Sequence, residues 1–345
     1  MNSVGDDTGE GSKSCAIRNR RSVCRSVLEI LISEPRVRVA GLSPADRGRP
    51  PSTVRPGAEM GSVGRYLRSL FGAVLLAAPT FADTADATPE RVVSMNLCTD
   101  QLAMLIAAPG QLHSVSALAT DPRGSAMAED ARAFEINRGL AEEIYLMQPD
   151  LVIAGSLSTR ATVDMLRRLG IPVAIFDPAY SLDEVRDRIR QMGAVLGRQT
   201  QAEALIADYD ARLAALQEDV AQRPSAALYY ADGYTSGDRT LAGQILIAAG
   251  FENAAVAAGF SSGGIMPLEV LAMLAPDALI TSRPYPGASR SEEILDHPVV
   301  RAIRAGGTSG EFTDRNWVCG TPYVLRAIEE LGTVRREISR EEAGR

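Results

Sequence analysis

Twelve consecutive residues return once, at equal internal spacing, further along the chain. E-E-I-Y-L-M-Q-P-D-L-V-I (Glu142–Ile153) has the form of E-V-L-A-M-L-A-P-D-A-L-I (Glu269–Ile280). Each copy reads as an acid, a helix with apolar residues at helical spacing, a Pro-Asp stop and then a strand. A duplicated helix-to-strand unit of this length predicts a molecule built from two similar halves.

The flanking sequence fits that division. Arg91–Ser94, Ser114–Leu118, Leu151–Ala154 and Ile171–Phe176 are short apolar runs, with helical patterns over Thr99–Ala107, Ala141–Met147 and Thr159–Leu169. A second series opens at Ala226–Ala231, continues through Leu241–Ala249, Leu268–Leu274 and Ala278–Thr281, and closes in a helix over Tyr323–Arg336. Strands alternating with helices predict an α/β fold with mostly parallel sheets covered on both faces. Between the series lie two helical stretches, Ser181–Leu196 and Thr200–Ala221. In the second, Leu205, Tyr209, Leu213, Leu216 and Val220 recur at helical spacing. Its full length would span ~33 Å, enough to join two lobes stiffly, before Arg223-Pro224 stops it.

The amino-terminal end reads differently. Residues 1–59 are rich in Arg, Gly, Ser and Pro, and are expected to be an untranslated or disordered extension. From Met60 the pattern is that of a secretory signal: Arg65 and Arg68, the apolar run Leu70–Ala78, then small residues at Thr80 and Ala82. No Cys stands at the cleavage point, so no lipid anchor is expected. The expected division is a signal at 60–82, an α/β lobe at 83–180, linker helices at 181–223 and a second α/β lobe at 224–345. Residues 83–345 hold 24 basic and 36 acidic side chains.

That acidic balance, without a basic stripe, argues against nucleic acid as a partner. No run reaches the ~18 apolar residues of a membrane span. Four Cys are too few for a disulfide scaffold, and His113 and His297 are isolated in the sequence, so neither a metal site nor a cofactor is expected. H-E-x-x-H, P-loop and C-x-x-C motifs are absent, and Gly259–Gly264 lacks the G-x-G-x-x-G order; Gly259–Gly263 spells G-x-S-x-G, but an Ala-rich helical stretch precedes it, not the apolar strand that a nucleophile elbow needs. An exported α/β enzyme would therefore lack a nucleophile elbow.

R-V-V-S-M-N-L-C-T-D-Q-L-A (Arg91–Ala103), the two E-x-[IL]-x-x-[ML]-x-P-D segments, L-G-I-P-V (Leu169–Val173) and the long linker helix together carry a resemblance. Over Pro89–Ile338 the chain resembles the periplasmic binding proteins of ABC importers for iron–siderophores, haem and vitamin B12. The resemblance implies two Rossmann-like lobes, joined by one long helix, with a ligand in the cleft between them. It also implies a monomer that delivers a metal chelate to an inner-membrane permease, with no catalysis. Ferric siderophore is the first expectation for that ligand, then haem or cobalamin. An enzyme, or a sensor or interaction protein without a transport role, is the alternative.

Doubly wound sheets bind ligands beyond the carboxyl ends of their strands. The residues at those ends are Met95, Asn96, Cys98, Asn137, Arg138, Ser156 and Ser158 in the first lobe. In the second they are Asp232, Tyr234, Thr235, Arg283 and Tyr285, with Trp317 before the final helix. Arg138 and Arg283 suit the carboxylates or catecholates of an anionic chelate. The family places the loop holding Cys319 at the cleft as well. For Cys98 and Cys319 three accounts stand: a cross-lobe disulfide, soft contacts to a bound metal, or two unrelated buried thiols. Both are expected to face the cleft from opposite lobes, with the disulfide ahead. In the family an exposed Glu at the start of each repeated helix meets Arg on the permease, and Glu142 and Glu269 match those positions.

Overall fold

β1 (Val92–Ser94) is buried along its whole length, as a central parallel strand must be. α1 (Leu97–Ile106), β2 (Leu112–Ser116), β3 (Glu135–Asn137), α2 (Ala141–Leu146), β4 (Leu151–Gly155), α3 (Arg160–Arg168) and β5 (Val173–Phe176) follow. In this computed structural model the described residues are 88–343, apart from 284–286, 288, 307 and 313. The 1–59 extension, the Met60–Ala82 signal and Tyr285 lie outside the described residues.

The five strands form one parallel sheet in the order β3-β2-β1-β4-β5. The chain winds outward from β1 through β2 to β3 and then returns for β4, so β1 and β4 flank a topological switch point. β3 has no apolar run in the sequence. Glu-Ile-Asn extends because β2 pairs with it, Ser114 opposite Glu135 and Ser116 opposite Asn137.

α4 (Leu182–Val195) starts where the Ser181 hydroxyl accepts from the Glu184 amide at 3.1 Å, and α5 (Gln199–Leu216) follows after one turn. The two helices pack closely: a Cβ on Gly193 would sit 2.4 Å from the Ala202 Cβ. α5 has 18 residues, about 27 Å, and ends at Leu216 instead of Ala221. The cause lies just beyond it. The Glu218 carboxylate turns away to bind Arg335 and Arg336, the latter at 2.7 Å, on the last helix.

The second lobe comprises β6 (Ser225–Tyr229), β7 (Tyr234–Thr235), α6 (Leu241–Ala248), β8 (Glu252–Asn253), α7 (Ala254–Ala257), β9 (Gly264–Ile265), α8 (Leu268–Leu274), β10 (Ala278–Ser282), α9 (Pro298–Gly306), β11 (Thr308–Phe312) and α10 (Val324–Ala343). Its parallel sheet has the order β11-β10-β6-β8, and β7 pairs antiparallel with β9 beside it. Here β6 and β10 flank the switch point, as β1 and β4 do in the first lobe.

The repeat has a structural meaning. Asp150 accepts the backbone N–H groups of Glu90 at 2.6 Å and Arg91 at 3.0 Å, at the entry to β1. Asp277 accepts the N–H and hydroxyl of Ser225, at 2.9 and 2.8 Å, where β6 begins. Each Pro-Asp thus fastens its own strand to the central strand of its lobe. The helix before it ends in the left-handed region in both copies, at Gln148 (φ 50°) and Ala275 (φ 41°).

Buried apolar side chains run without a break from Val92 and Ile106 through Ile189 and Tyr209 to Leu228 and Leu331, joining both sheets in one core. His113 is not isolated in space: its Nε2 accepts from Arg91 at 2.7 Å and lies 3.1 Å from Glu135. His297 accepts the Val299 N–H at 3.2 Å at the start of α9.

Candidate ligand cleft

The carboxyl ends of the two sheets meet. The clearest link is a disulfide between Cys98, at the start of α1, and Cys319, in the loop before α10, with a Cα separation of 5.1 Å. The Asn96 side chain caps α1 by accepting from the Cys98 amide at 3.1 Å, which sets the thiol at the mouth of the first switch point. Beside the bridge a Cβ on Gly320 would lie 2.3 Å from the Ala179 Cβ, so only glycine lets the two lobes come this close. Both cysteines therefore face across from opposite lobes as a bridge. Neither sulfur is a free thiol for a metal.

A second link lies at Arg123, on the loop after β2. Its Nη2 donates to the Arg283 carbonyl at 3.2 Å, and its own carbonyl accepts from the Arg315 amide at 3.0 Å. Pro122, Arg123, Arg283 and Arg315 line a cavity of about 250 Å³ between the lobes. Three arginines from both halves thus come together at this cavity, and Arg123 and Arg315 are additions that strand-end reasoning missed.

Exposed apolar side chains stand among the polar ones here: Leu118, Leu140, Leu157 and Tyr180 follow β2 to β5 by two to four residues, Tyr234 lies in β7, and Val318 adjoins the bridge. Large apolar side chains gathered on one face mark a binding surface. Of these only Tyr234 was among the expected contacts. Leu118, Leu157 and Tyr180 are legible as the first large apolar residues after β2, β4 and β5.

Several expected ligand contacts have other work. Asn137 is fully buried, donating to the Ser94 carbonyl at 2.8 Å and to Ser114 at 2.9 Å, so it ties the strand ends together. Met95 is buried in a core cluster with Ile144 and Val163. Trp317 is 6% exposed and packs edge-on against Tyr230, with ring centroids 5.9 Å apart; it anchors the bridge loop instead of meeting solvent. Arg138 is exposed and faces Glu143 at 3.6 Å. Ser156 and Asp232 lie exposed at the carboxyl ends of β4 and β6. Ser158 bonds back to Gly155, and Thr235 is buried against the Leu228 carbonyl.

Asp100, two residues after Cys98, is fully buried and accepts from the Ser116 hydroxyl at 2.5 Å and amide at 3.1 Å. Burial pushes its carboxyl up from 3.8 to about 6, against the lowering effect of those bonds. The folded state therefore binds this proton more tightly than the unfolded state. Its contribution is full below pH 3.8 and is lost as pH rises through about 6, a change of roughly 3 kcal/mol. Asp100→Asn, which mimics the protonated acid, should flatten stability between pH 4 and 7. Unfolding midpoints across that range, in wild type and variant, are the check; an unchanged slope would contradict it.

Residues 92–309 match the periplasmic binding protein family. The chain belongs to that family. The cobalamin-binding protein of Halobacterium salinarum is 29% identical over 236 residues, which is 66% of this chain and 63% of that protein. This binding protein therefore spans somewhat less than two thirds of that relative. The vitamin B12-binding protein of Pectobacterium atrosepticum is 25% identical over 261 residues, 72% of this chain and 81% of its own. The apo periplasmic haem-binding protein RhuT of Roseiflexus sp. RS-1 has the same fold, with a TM-score of 0.60 at 24% identity over 72% of this chain and 99% of that one. These likenesses meet the expectation of a two-lobed α/β binding protein, and the relatives are binding proteins, not enzymes.

Proposed function

We propose that this binding protein is exported to the periplasm through Met60–Ala82, without a lipid anchor. There it captures a metal chelate between lobes 83–180 and 224–345, and as a monomer hands it to an ABC permease. The observation that carries this reading is the meeting of two switch points in one cleft, with exposed apolar side chains after the strands and Arg123, Arg283 and Arg315 lining the cavity between the lobes. A flat macrocycle or folded chelate offers apolar faces to such side chains. Its peripheral carbonyl, carboxylate or phosphate oxygens suit the guanidinium donors.

The family resemblance by itself ranks a ferric siderophore first. The two cobalamin-named relatives move a corrinoid ahead of haem, with a ferric siderophore after both. Glu142 and Glu269, exposed on equivalent helices, are read as the carboxylates that meet the permease. Calorimetric titration of the periplasm-purified protein with cyanocobalamin, haemin and a ferric siderophore tests the ligand. One of them should bind with micromolar affinity or better, and Arg283→Ala should weaken it about tenfold. If none bound more tightly than ~0.1 mM, the capture reading would fail.

A further inference from the structure

The fold accounts for most of the repeat and leaves two positions over. Ile144 and Leu271 are core residues, Asp150 and Asp277 fasten strands, and Gln148 and Ala275 make the left-handed turns. The first acid of each copy, and the residue four places later, have no such role. Glu142 and Glu269 are exposed and make no hydrogen bond or salt bridge among the described residues. Leu146 and Met273 are 78% and 74% exposed, among the most exposed large apolar residues described.

Glu143 provides the contrast. Its carboxylate accepts from the Arg138 amide at 2.7 Å, and the second copy has Val270 in its place. The acid present in both copies is the one that the fold does not use. A single exposed Leu needs no explanation, but the same exposure at matching positions of two lobes does. Spacing of four residues sets acid and apolar residue on one helix face, in α2 and again in α8.

We infer that Glu142 with Leu146, and Glu269 with Met273, form two equivalent acid-plus-apolar docking knobs. They fit a permease whose two like subunits each present a basic group beside an apolar pocket. The inference rests on the permease reading and adds the apolar half of each contact. The duplication argues for a partner of two equal halves, and the bare carboxylates argue for basic groups opposite them. The two halves of each knob act on different rates: charge steers association, and desolvated apolar contact slows dissociation.

Binding kinetics of the full protein on a nanodisc-held ABC permease–ATPase complex from the same genome separate them. Leu146→Ser with Met273→Ser should raise the dissociation rate at least tenfold and leave association nearly unchanged. Glu142→Gln with Glu269→Gln should lower the association rate and its salt dependence. Thermal unfolding and ligand affinity should match wild type in both; should the serine pair fold poorly, Leu146→Gln and Met273→Gln singly should each give about half the effect. If the apolar variants dissociate like wild type while the Gln pair binds poorly, this inference is overturned and the permease reading stands. If neither pair differs from wild type, the permease reading fails too. Self-association of wild type that the serine pair abolishes, seen by sedimentation, would make the partner a second copy and overturn it as well.

Discussion

Serine at both Cys98 and Cys319 is expected to lower the unfolding midpoint by roughly 10 °C, with the same drop on reduction of the wild-type protein. The bridge joins residues 221 apart in sequence, so it removes much of the freedom of the unfolded chain. Losing a native bridge typically costs about 2–5 kcal/mol, and each kcal/mol moves the midpoint of a domain this size by about 2–4 °C. The two lobes share a core through the linker helices, so both sheets should stay folded. The damage should fall at the cleft, where the Gln101 amide, Asn316 Oδ1 and Thr321 Oγ1 are buried without partners among the described residues. Those atoms favour water over burial, and the bridge holds their segments closed. Calorimetry with and without reductant measures the effect, and amide exchange over 95–101 and 316–321 should rise selectively. A drop below about 2 °C, or exchange that rises evenly through both sheets, would show that the bridge does not hold the lobes together.

Reversing both docking charges, with Glu142→Arg and Glu269→Arg, is expected to abolish uptake while ligand affinity stays within twofold. Each carboxylate is exposed and free of internal hydrogen bonds and salt bridges among the described residues, so its loss should cost the fold little. Opposite a basic group, reversal replaces attraction by repulsion, and like-charge juxtaposition at an interface costs several kcal/mol. Two such penalties lower transport by more than a hundredfold at limiting protein concentration. Uptake of radiolabelled ligand by cells, set beside calorimetry on the purified variant, separates delivery from capture. Loss of capture would assign these carboxylates to the ligand site or the fold.

How much of this was legible in advance differs residue by residue. The Pro-Asp repeat was readable because a helix stop, a left-handed turn and a strand start are local events, written in adjacent residues. The Glu218 turn that shortens α5 was not, because its arginines come more than a hundred positions later. Asn137 and Trp317 stand at strand and loop ends, where exposure is the ordinary expectation. Each is buried by partners from other elements: Asn137 by the β1 and β2 ends, Trp317 by Tyr230.

Periodicity and turn chemistry act over a few residues, and so the alternation of strands and helices, the two-lobe plan and the candidate cysteines could be read from the chain alone. Strand order, the Arg123–Arg283–Arg315 cluster and the Cys98–Cys319 contact depend on how distant segments pair. Hydrogen bonding between sheet strands and burial of a shared core select one such arrangement, and neither leaves a signature in any single stretch of sequence.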